Sequence, residues 1–272
     1  MIGIFDSGYG GLTVLKALAS KLPQYKYLYL GDSARAPYGG HDKETILTYS
    51  RQAVDFLFGR GVRLIIMACN TVSAVALRQL QEDYLRQPQI TDKKILGVIF
   101  PLAEKAVKIS KNGNFGIVGT RATINSEAYN HELKKLRPGS KIYAQACPLL
   151  VPFIEEGWEQ KPEAKMILRK YLRPLKSCHI DTLILGCTHY PLMQKQFRQV
   201  MNKQVAIPDT GLVVASSLEN YLKRHPEIEK ILTQNLQGKI HFMTTGDVDK
   251  FKNLGSRFFG KPITEVEKVQ MG

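Results

Sequence analysis

Short apolar runs alternate with longer amphipathic segments along nearly the whole chain. The apolar runs are typical of buried strands and cover residues 2–5, 27–30, 64–68, 96–99, 115–118, 142–146, 182–185, 205–208, 240–244 and 264–269. Between them, apolar residues recur at helical spacing over residues 12–22, 43–58, 72–85, 102–109, 126–136, 163–176, 213–222 and 248–259. This alternation predicts an α/β fold with mainly parallel sheets flanked by helices.

The strands and helices fall into two series of comparable size. A polar stretch that contains a proline, residues 87–94, separates them and predicts a linker. We therefore predict a second domain formed by residues 95–209. The C-terminal residues 210–272 are expected to return to residues 1–94, so that the first domain is discontinuous.

The composition limits the class of protein. The 272 residues are 44% hydrophobic and 23% charged, which is typical of a soluble globular protein. No apolar run approaches the ~20 residues that a membrane span needs, and the N-terminus has no secretory signal pattern. The four cysteines have no C-x-x-C spacing, which argues against a zinc site or a disulfide scaffold. We expect a cytoplasmic protein with reduced thiols.

The chain is strongly basic, with a formal net charge of +14. Most of the excess lies in residues 93–210, which hold 19 basic and 9 acidic side chains. Nucleic-acid binding is one interpretation of this charge. However, few aromatic residues alternate with the basic ones, so no base-stacking platform is visible. A solvated basic surface that attracts an acidic substrate is the favoured interpretation.

Two cysteines follow predicted strands in the same way. Cys69 comes after Ala68 at the end of an apolar run, and Cys187 comes after Gly186 at the end of another. The carboxyl ends of parallel strands open into the crevice where α/β proteins bind ligands. Burial in a structural role is the alternative for either thiol. Two thiols placed in the same way at strand ends predict that both perform the same chemical step. This suits a racemase, because a racemase must remove and add a proton on both faces of one carbon.

Polar side chains accompany the thiols at these strand ends. Asp6 and Ser7 begin a glycine-rich turn after the first strand, which lacks the spacing of a dinucleotide or Walker A motif. The other candidates are Asn70 and Thr71 after the first cysteine, Thr188 and His189 after the second, the pair Tyr38-Gly39, and Glu155. These groups suit carboxylate and ammonium recognition, and His189 could assist the thiol of Cys187. Helix capping is the alternative for the short polar residues.

The chain resembles the bacterial glutamate racemases in blocks of sequence spread over its length. The matching blocks lie within residues 5–12, 31–39, 68–71, 119–129, 148–155, 185–192 and 244–247. The resemblance implies two similar α/β domains that face each other across the active site. It also implies that the C-terminal segment completes the first domain.

Roles for individual residues follow from the same resemblance. It implies that Cys69 and Cys187 are the two acid/base thiols, that Asp6 and His189 assist them, and that Glu155 supports the second side. The implied substrate contacts are Asp6, Ser7, Tyr38, Gly39, Asn70, Thr71, Thr188 and His189. No lysine is marked as a Schiff-base partner and no metal motif is present, so we expect neither cofactor nor metal.

The expected reaction is cofactor-independent interconversion of L-glutamate and D-glutamate. The resemblance further implies that the D-glutamate supplies peptidoglycan synthesis, and a homodimer is expected. Two alternatives stay open: a racemase for aspartate or another acidic amino acid, and, from a different class, a basic nucleic-acid-binding protein.

Overall fold

The computed structural model describes residues 1–85, 92–202, 204–233 and 238–271. Its strands are β1 (Ile2–Asp6), β2 (Tyr27–Gly31), β3 (Leu64–Met67), β4 (Lys94–Gly97), β5 (Asn114–Gly119), β6 (Lys141–Ala146), β7 (Thr182–Gly186), β8 (Ile240–Thr244) and β9 (Glu267–Lys268). Its helices are α1 (Leu12–Lys21), α2 (Lys43–Gly59), α3 (Asn70–Val75), α4 (Leu77–Leu85), α5 (Ile99–Ile109), α6 (Arg121–Asn125), α7 (Ala128–Leu136), α8 (Leu150–Glu155), α9 (Pro162–Lys176), α10 (Gln194–Met201), α11 (Thr210–Arg224), α12 (Pro226–Thr233) and α13 (Val248–Phe259). Strands and helices alternate through most of the chain, as predicted.

The strands form two parallel sheets. The first sheet has six strands in the order β4-β3-β1-β2-β8-β9, and the second has three in the order β6-β5-β7. Parallel pairing requires a crossover between neighbouring strands, and helices supply most of these crossovers. Every residue of β1, β2, β3 and β7 is buried, which explains why their sequences are mainly apolar. The predicted fold of two parallel sheets flanked by helices is confirmed.

Side-chain caps fix where several helices begin. The carboxylates of Asp42, Asp209 and Asp247 each accept the backbone N–H three residues further on, at the starts of α2, α11 and α13. Such a bond satisfies one of the amide groups that a helix leaves unpaired at its first turn. Helix α13 ends at Phe259, and the next residue, Gly260, has a positive φ of 76° that suits glycine at that position.

Several predicted elements require correction. Strand β4 pairs with β3, so residues 95–97, which were predicted to open the second series of strands, lie in the first sheet. The single helix predicted over residues 72–85 is broken into α3 and α4. The strand predicted over residues 205–208 is only an isolated bridge between Thr182 and Ala206, and that over residues 264–269 shortens to β9.

Four helices were not predicted: α6, α8, α10 and α12. Within the predicted linker, residues 87–91 lie outside the described residues, and its last residue begins β4. The remaining boundaries of the predicted domains stay a prediction. None of the helices in the described ranges combines the length and apolar character of a membrane span.

Candidate active site

One pocket lies where the carboxyl ends of strands from both sheets meet. Its walls come from the turns after β1, β2, β3, β5 and β7 and from α8. The lining residues are Ser7, Gly8, Ala36, Pro37, Tyr38, Gly39, Cys69, Asn70, Thr71, Thr120, Val151, Glu155, Cys187, Thr188 and His189. The structure therefore brings both predicted thiols and nearly all of their predicted partners to one place. Asp6 lies behind this wall and is fully buried.

The first thiol sits directly after β3, at the start of α3. The Sγ atom of Cys69 is 3.4 Å from the hydroxyl oxygen of Ser7, and the side chain is buried. Burial is the main cause that raises the pKa of Cys69 to about 12, and the nearby Asp6 carboxylate contributes to this rise. A thiolate formed here would therefore be a strong base, because it is poorly solvated and faces a negative neighbour.

Asp6 connects the first-sheet side of the pocket to the second. Its Oδ2 accepts the backbone N–H of Gly8 at 3.0 Å, and its Oδ1 accepts the hydroxyl of Thr188 at 3.3 Å. Burial raises the pKa of this carboxyl, although the positive charge of His189 and several hydrogen bonds oppose that rise. A buried carboxyl with a raised pKa holds a proton more readily than an ordinary aspartate, which suits an assistant to the thiol of Cys69.

The second thiol is the first of three titratable groups that form a chain. The Sγ of Cys187 lies 3.9 Å from Nδ1 of His189, and Nε2 of His189 lies 3.0 Å from Oε1 of Glu155. Burial alone would lower the pKa of His189, but its bonds to Cys187 and Glu155 outweigh burial and raise the pKa to about 10. His189 is therefore an imidazolium at neutral pH, and its positive charge lies next to the sulfur of Cys187.

Replacing Glu155 with glutamine should change how stability depends on pH. The pKa of His189 rises from an ordinary value of 6.5 to about 10 in the folded protein. The resulting stabilisation is fully present below the unfolded value and is lost as pH rises through the folded value. We expect Glu155→Gln to lose unfolding free energy at about pH 6 and much less at about pH 10, measured by urea denaturation. An equal loss at both pH values would contradict the ion pair.

The predicted substrate contacts Asn70 and Thr71 also face the pocket. The Oδ1 of Asn70 accepts the hydroxyl of Tyr129 at 2.6 Å. The amide nitrogen of Asn70 is buried and has no hydrogen-bond partner among the described residues. Because an unpaired buried donor is costly, this N–H₂ group is available to an anionic ligand.

Tyr38 and Gly39 line the pocket on the loop after β2. The hydroxyl of Tyr38 donates to the buried carboxylate of Asp32, which also accepts from Arg35 and Thr245. Burial and then Asp32 raise the pKa of Tyr38. Its hydroxyl is thus engaged, and the ring and backbone are the parts of Tyr38 that a ligand can contact.

Thr120 is a pocket residue to which the sequence assigned no role. Its hydroxyl lies 2.9 Å from the hydroxyls of both Thr71 and Thr123. A sequence signal for Thr120 does exist at the end of β5. The apolar run of residues 115–118 is followed by the small residue Gly119 and then by the hydroxyl-bearing Thr120. This pattern is the same as the one at the two thiols. Val151, Gly8, Ala36 and Pro37 also line the pocket without having been singled out as contacts.

Hydrogen bonds join the two sides of the pocket, and we call them the polar seam. The seam consists of the bonds Asn70–Tyr129, Thr71–Thr120, Asp6–Thr188 and Thr13–Thr188, with lengths of 2.6, 2.9, 3.3 and 3.2 Å. In each bond, one partner belongs to the first-sheet side and the other to the second. The turns that carry the two thiols are therefore held in one arrangement.

The other two cysteines lie outside the pocket. The thiol of Cys147 is buried and donates to the carbonyl of Gln145, and that of Cys178 donates to the carbonyl of Pro174. Across the described ranges, no three His, Cys, Asp or Glu side chains group in a way that could hold a metal ion. The titratable side chains that line the pocket include the thiols of Cys69 and Cys187, the carboxyl of Glu155 and the imidazole of His189.

Comparison with known proteins agrees with this geometry. Residues 12–217 match the model of a family described as Asp/Glu/Hydantoin racemase. The chain belongs to this family. A relative from Syntrophus aciditrophicus, named glutamate racemase, is 40% identical over 271 residues, which cover 99% of this chain and 96% of the relative. The prediction that the chain is an amino-acid racemase, an isomerase that resembles the glutamate racemases, is confirmed.

Solved structures of family members extend the likeness to the whole fold. A glutamate racemase isoform from Bacillus anthracis superposes with a TM-score of 0.90 at 35% identity, covering 99% of this chain and 97% of that one. The glutamate racemase from Francisella tularensis, solved in complex with D-glutamate, superposes with a TM-score of 0.88 at 33% identity, with the same coverage. The two-sheet arrangement is therefore that of the family.

Proposed function

We propose that this racemase interconverts L-glutamate and D-glutamate without a cofactor, using Cys69 and Cys187 as its two acid/base groups. The main support for the proposal is the arrangement of thiols in the pocket. Two buried thiols follow strands of different sheets and line the same pocket. The thiol of Cys69 contacts Ser7, and that of Cys187 contacts His189.

The proposed reaction transfers one proton at each face of the α-carbon. One cysteine, as thiolate, removes the α-proton, while the other, as thiol, donates a proton to the opposite face. The two exchange roles in the reverse direction. Asp6 assists the thiol of Cys69, and His189, supported by Glu155, assists the thiol of Cys187.

The carbanion formed between these steps needs its negative charge stabilised at the carboxylate. The unpaired amide of Asn70 is a buried donor that lines the pocket, and Thr71 and Thr188 line the same pocket. Donors fixed in a buried site stabilise developing charge more strongly than water does. Ser7, Tyr38 and Gly39 complete the proposed contacts with substrate.

Glutamate is favoured over aspartate by the relatives. Full-length relatives at 36–40% identity are named glutamate racemase, and one solved structure of the family holds D-glutamate. We further propose that the enzyme acts in the cytoplasm as a homodimer and supplies D-glutamate for peptidoglycan synthesis. The excess positive charge would then attract an acidic substrate and not nucleic acid.

One experiment tests the function directly. Pure protein is incubated with L-glutamate and no added cofactor, and the loss of optical activity is followed by circular dichroism. We expect racemisation that survives EDTA and hydroxylamine but falls when thiols are alkylated. Loss on chelation that a metal restores would overturn cofactor independence, and faster turnover of L-aspartate would favour the alternative substrate.

A further inference from the structure

Arg257 reaches from helix α13 to the far end of helix α8, which carries Glu155. Its Nη2 donates to the carbonyl of Ile154 at 3.1 Å, and its Nη1 donates to the carbonyl of Glu155 at 3.4 Å. The same Nη2 is 3.0 and 3.1 Å from the two carboxylate oxygens of Glu159. One guanidinium therefore holds both the last carbonyls of α8 and the segment that follows it.

Helix α8 needs such a contact because it is short. It has only six residues, and its last carbonyls have few partners within the helix. Gly157, with a positive φ of 74°, turns the chain sharply just beyond the helix. A positive side chain at the C-terminal end of a helix satisfies carbonyls and interacts favourably with the helix dipole.

Helix α13 is itself anchored on the first sheet. It follows β8, packs against α1, and buries Phe251 against the rings of Tyr9 and Tyr29 at centroid distances of 5.7 and 6.0 Å. The neighbour of Arg257, Phe258, places its ring edge-on to the ring of His189 at 4.9 Å. Two consecutive residues of α13 thus contact the two groups that follow Cys187 in the chain of titratable groups: Phe258 contacts His189, and Arg257 contacts the backbone of Glu155.

We propose that Arg257 is a positioning residue that holds α8 so that the Glu155 carboxylate stays against His189. The proposal rests on the proposed two-thiol function. Arg257 does not line the pocket, so it acts through Glu155. Since Glu155 belongs to the chain of groups behind Cys187, loss of Arg257 impairs proton removal by Cys187 and leaves removal by Cys69 intact.

An elimination reaction separates the two sides. Removal of the α-proton from 3-chloroglutamate breaks the C–H bond, and the electron pair expels chloride from the β-carbon. The resulting enamine hydrolyses to 2-oxoglutarate and ammonia. Only one proton abstraction is needed, so each enantiomer reports on one thiol. Chloride release from the L and D forms is measured for Arg257→Met and compared with Cys187→Ser.

We expect Arg257→Met to slow elimination from one enantiomer by roughly tenfold to a hundredfold, with the other nearly unchanged. The slowed enantiomer should be the one that Cys187→Ser abolishes. Arg257→Lys, which keeps the charge but not the fork that spans two carbonyls, should recover part of the loss. If Arg257→Met fails to fold, the enantiomer ratio of Arg257→Lys decides the question in the same way.

Arg51→Met is the matched control. Arg51 forms a similar guanidinium–carboxylate pair with Asp83, and its side chain is 44% exposed against 36% for Arg257. We expect wild-type rates for both enantiomers. If the wild-type protein racemises glutamate, the positioning role would be overturned by either of two results. Arg257→Met would slow elimination from both enantiomers equally, or it would slow neither. A wild-type protein that did not racemise glutamate would instead overturn the proposed function.

Discussion

Cys69→Ser and Cys187→Ser should each abolish racemisation of glutamate while retaining elimination from opposite enantiomers of 3-chloroglutamate. A serine hydroxyl is far too weak an acid to replace a thiol, so we expect racemisation to fall by at least about 10³-fold. Each variant keeps one intact thiol, and elimination needs only one. By analogy with the family, Cys187→Ser should keep elimination from the D form and Cys69→Ser from the L form.

Cys178→Ser is the control for these variants. Its thiol is partly buried and bonds to a backbone carbonyl outside the pocket, so the substitution should leave racemisation unchanged. Racemisation of glutamate at the wild-type rate by either active-site variant would refute the two-thiol mechanism. The same enantiomer preference in both variants would refute it as well, because the thiols would then not serve opposite faces.

Gly10→Ala should cost activity on the order of a hundredfold, although residue 10 bears no functional group. A Cβ atom on Gly10 would overlap the hydroxyl of Thr188 and the imidazole ring of His189. The backbone of the first glycine-rich turn therefore approaches the turn after Cys187 too closely for any side chain. We expect kcat/KM for both glutamate enantiomers to fall in a protein that still folds, as judged by circular dichroism.

Gly59→Ala provides the comparison for this substitution. A Cβ atom on Gly59, at the end of α2, would meet no atom within 4 Å, so the same chemical change should leave activity intact. A folded Gly10→Ala protein with wild-type kcat/KM would show that the close approach of the two turns is not required for turnover.

The sequence predicted the parts of the site that depend on local pattern. An apolar run, a small residue and then a cysteine is a local signal, and it placed Cys69 and Cys187 at strand ends that do share a pocket. Pairing between strands is not local, because residues within a strand do not specify which strand lies beside it. Strand β4, an edge strand of four residues, was accordingly assigned to the wrong sheet, although its start was nearly right.

The residues that support the site were harder to predict for a related reason. Asp32 bonds to Thr245, which lies 213 positions away, and Arg257 bonds to the carbonyl of Ile154, 103 positions away. No periodicity connects residues so distant in the chain. Helix α8 was not predicted, because it has only six residues, one of which is a proline. So short a segment cannot show apolar residues recurring at helical spacing.

The polar seam has a consequence for how the two sides of the pocket are held together. Its hydroxyls, amide and carboxyl would be satisfied equally well by water, so each bond contributes only about 0.5–1.5 kcal/mol net. Most of the cohesion between the two sides must therefore come from the apolar cluster that they share, in which Tyr9 and Leu12 of the first side belong with Leu183 and Leu185 of the second. Hydrogen bonds are directional and apolar contacts are not, so the seam sets the alignment of the two thiol-bearing turns while the shared core supplies the stability.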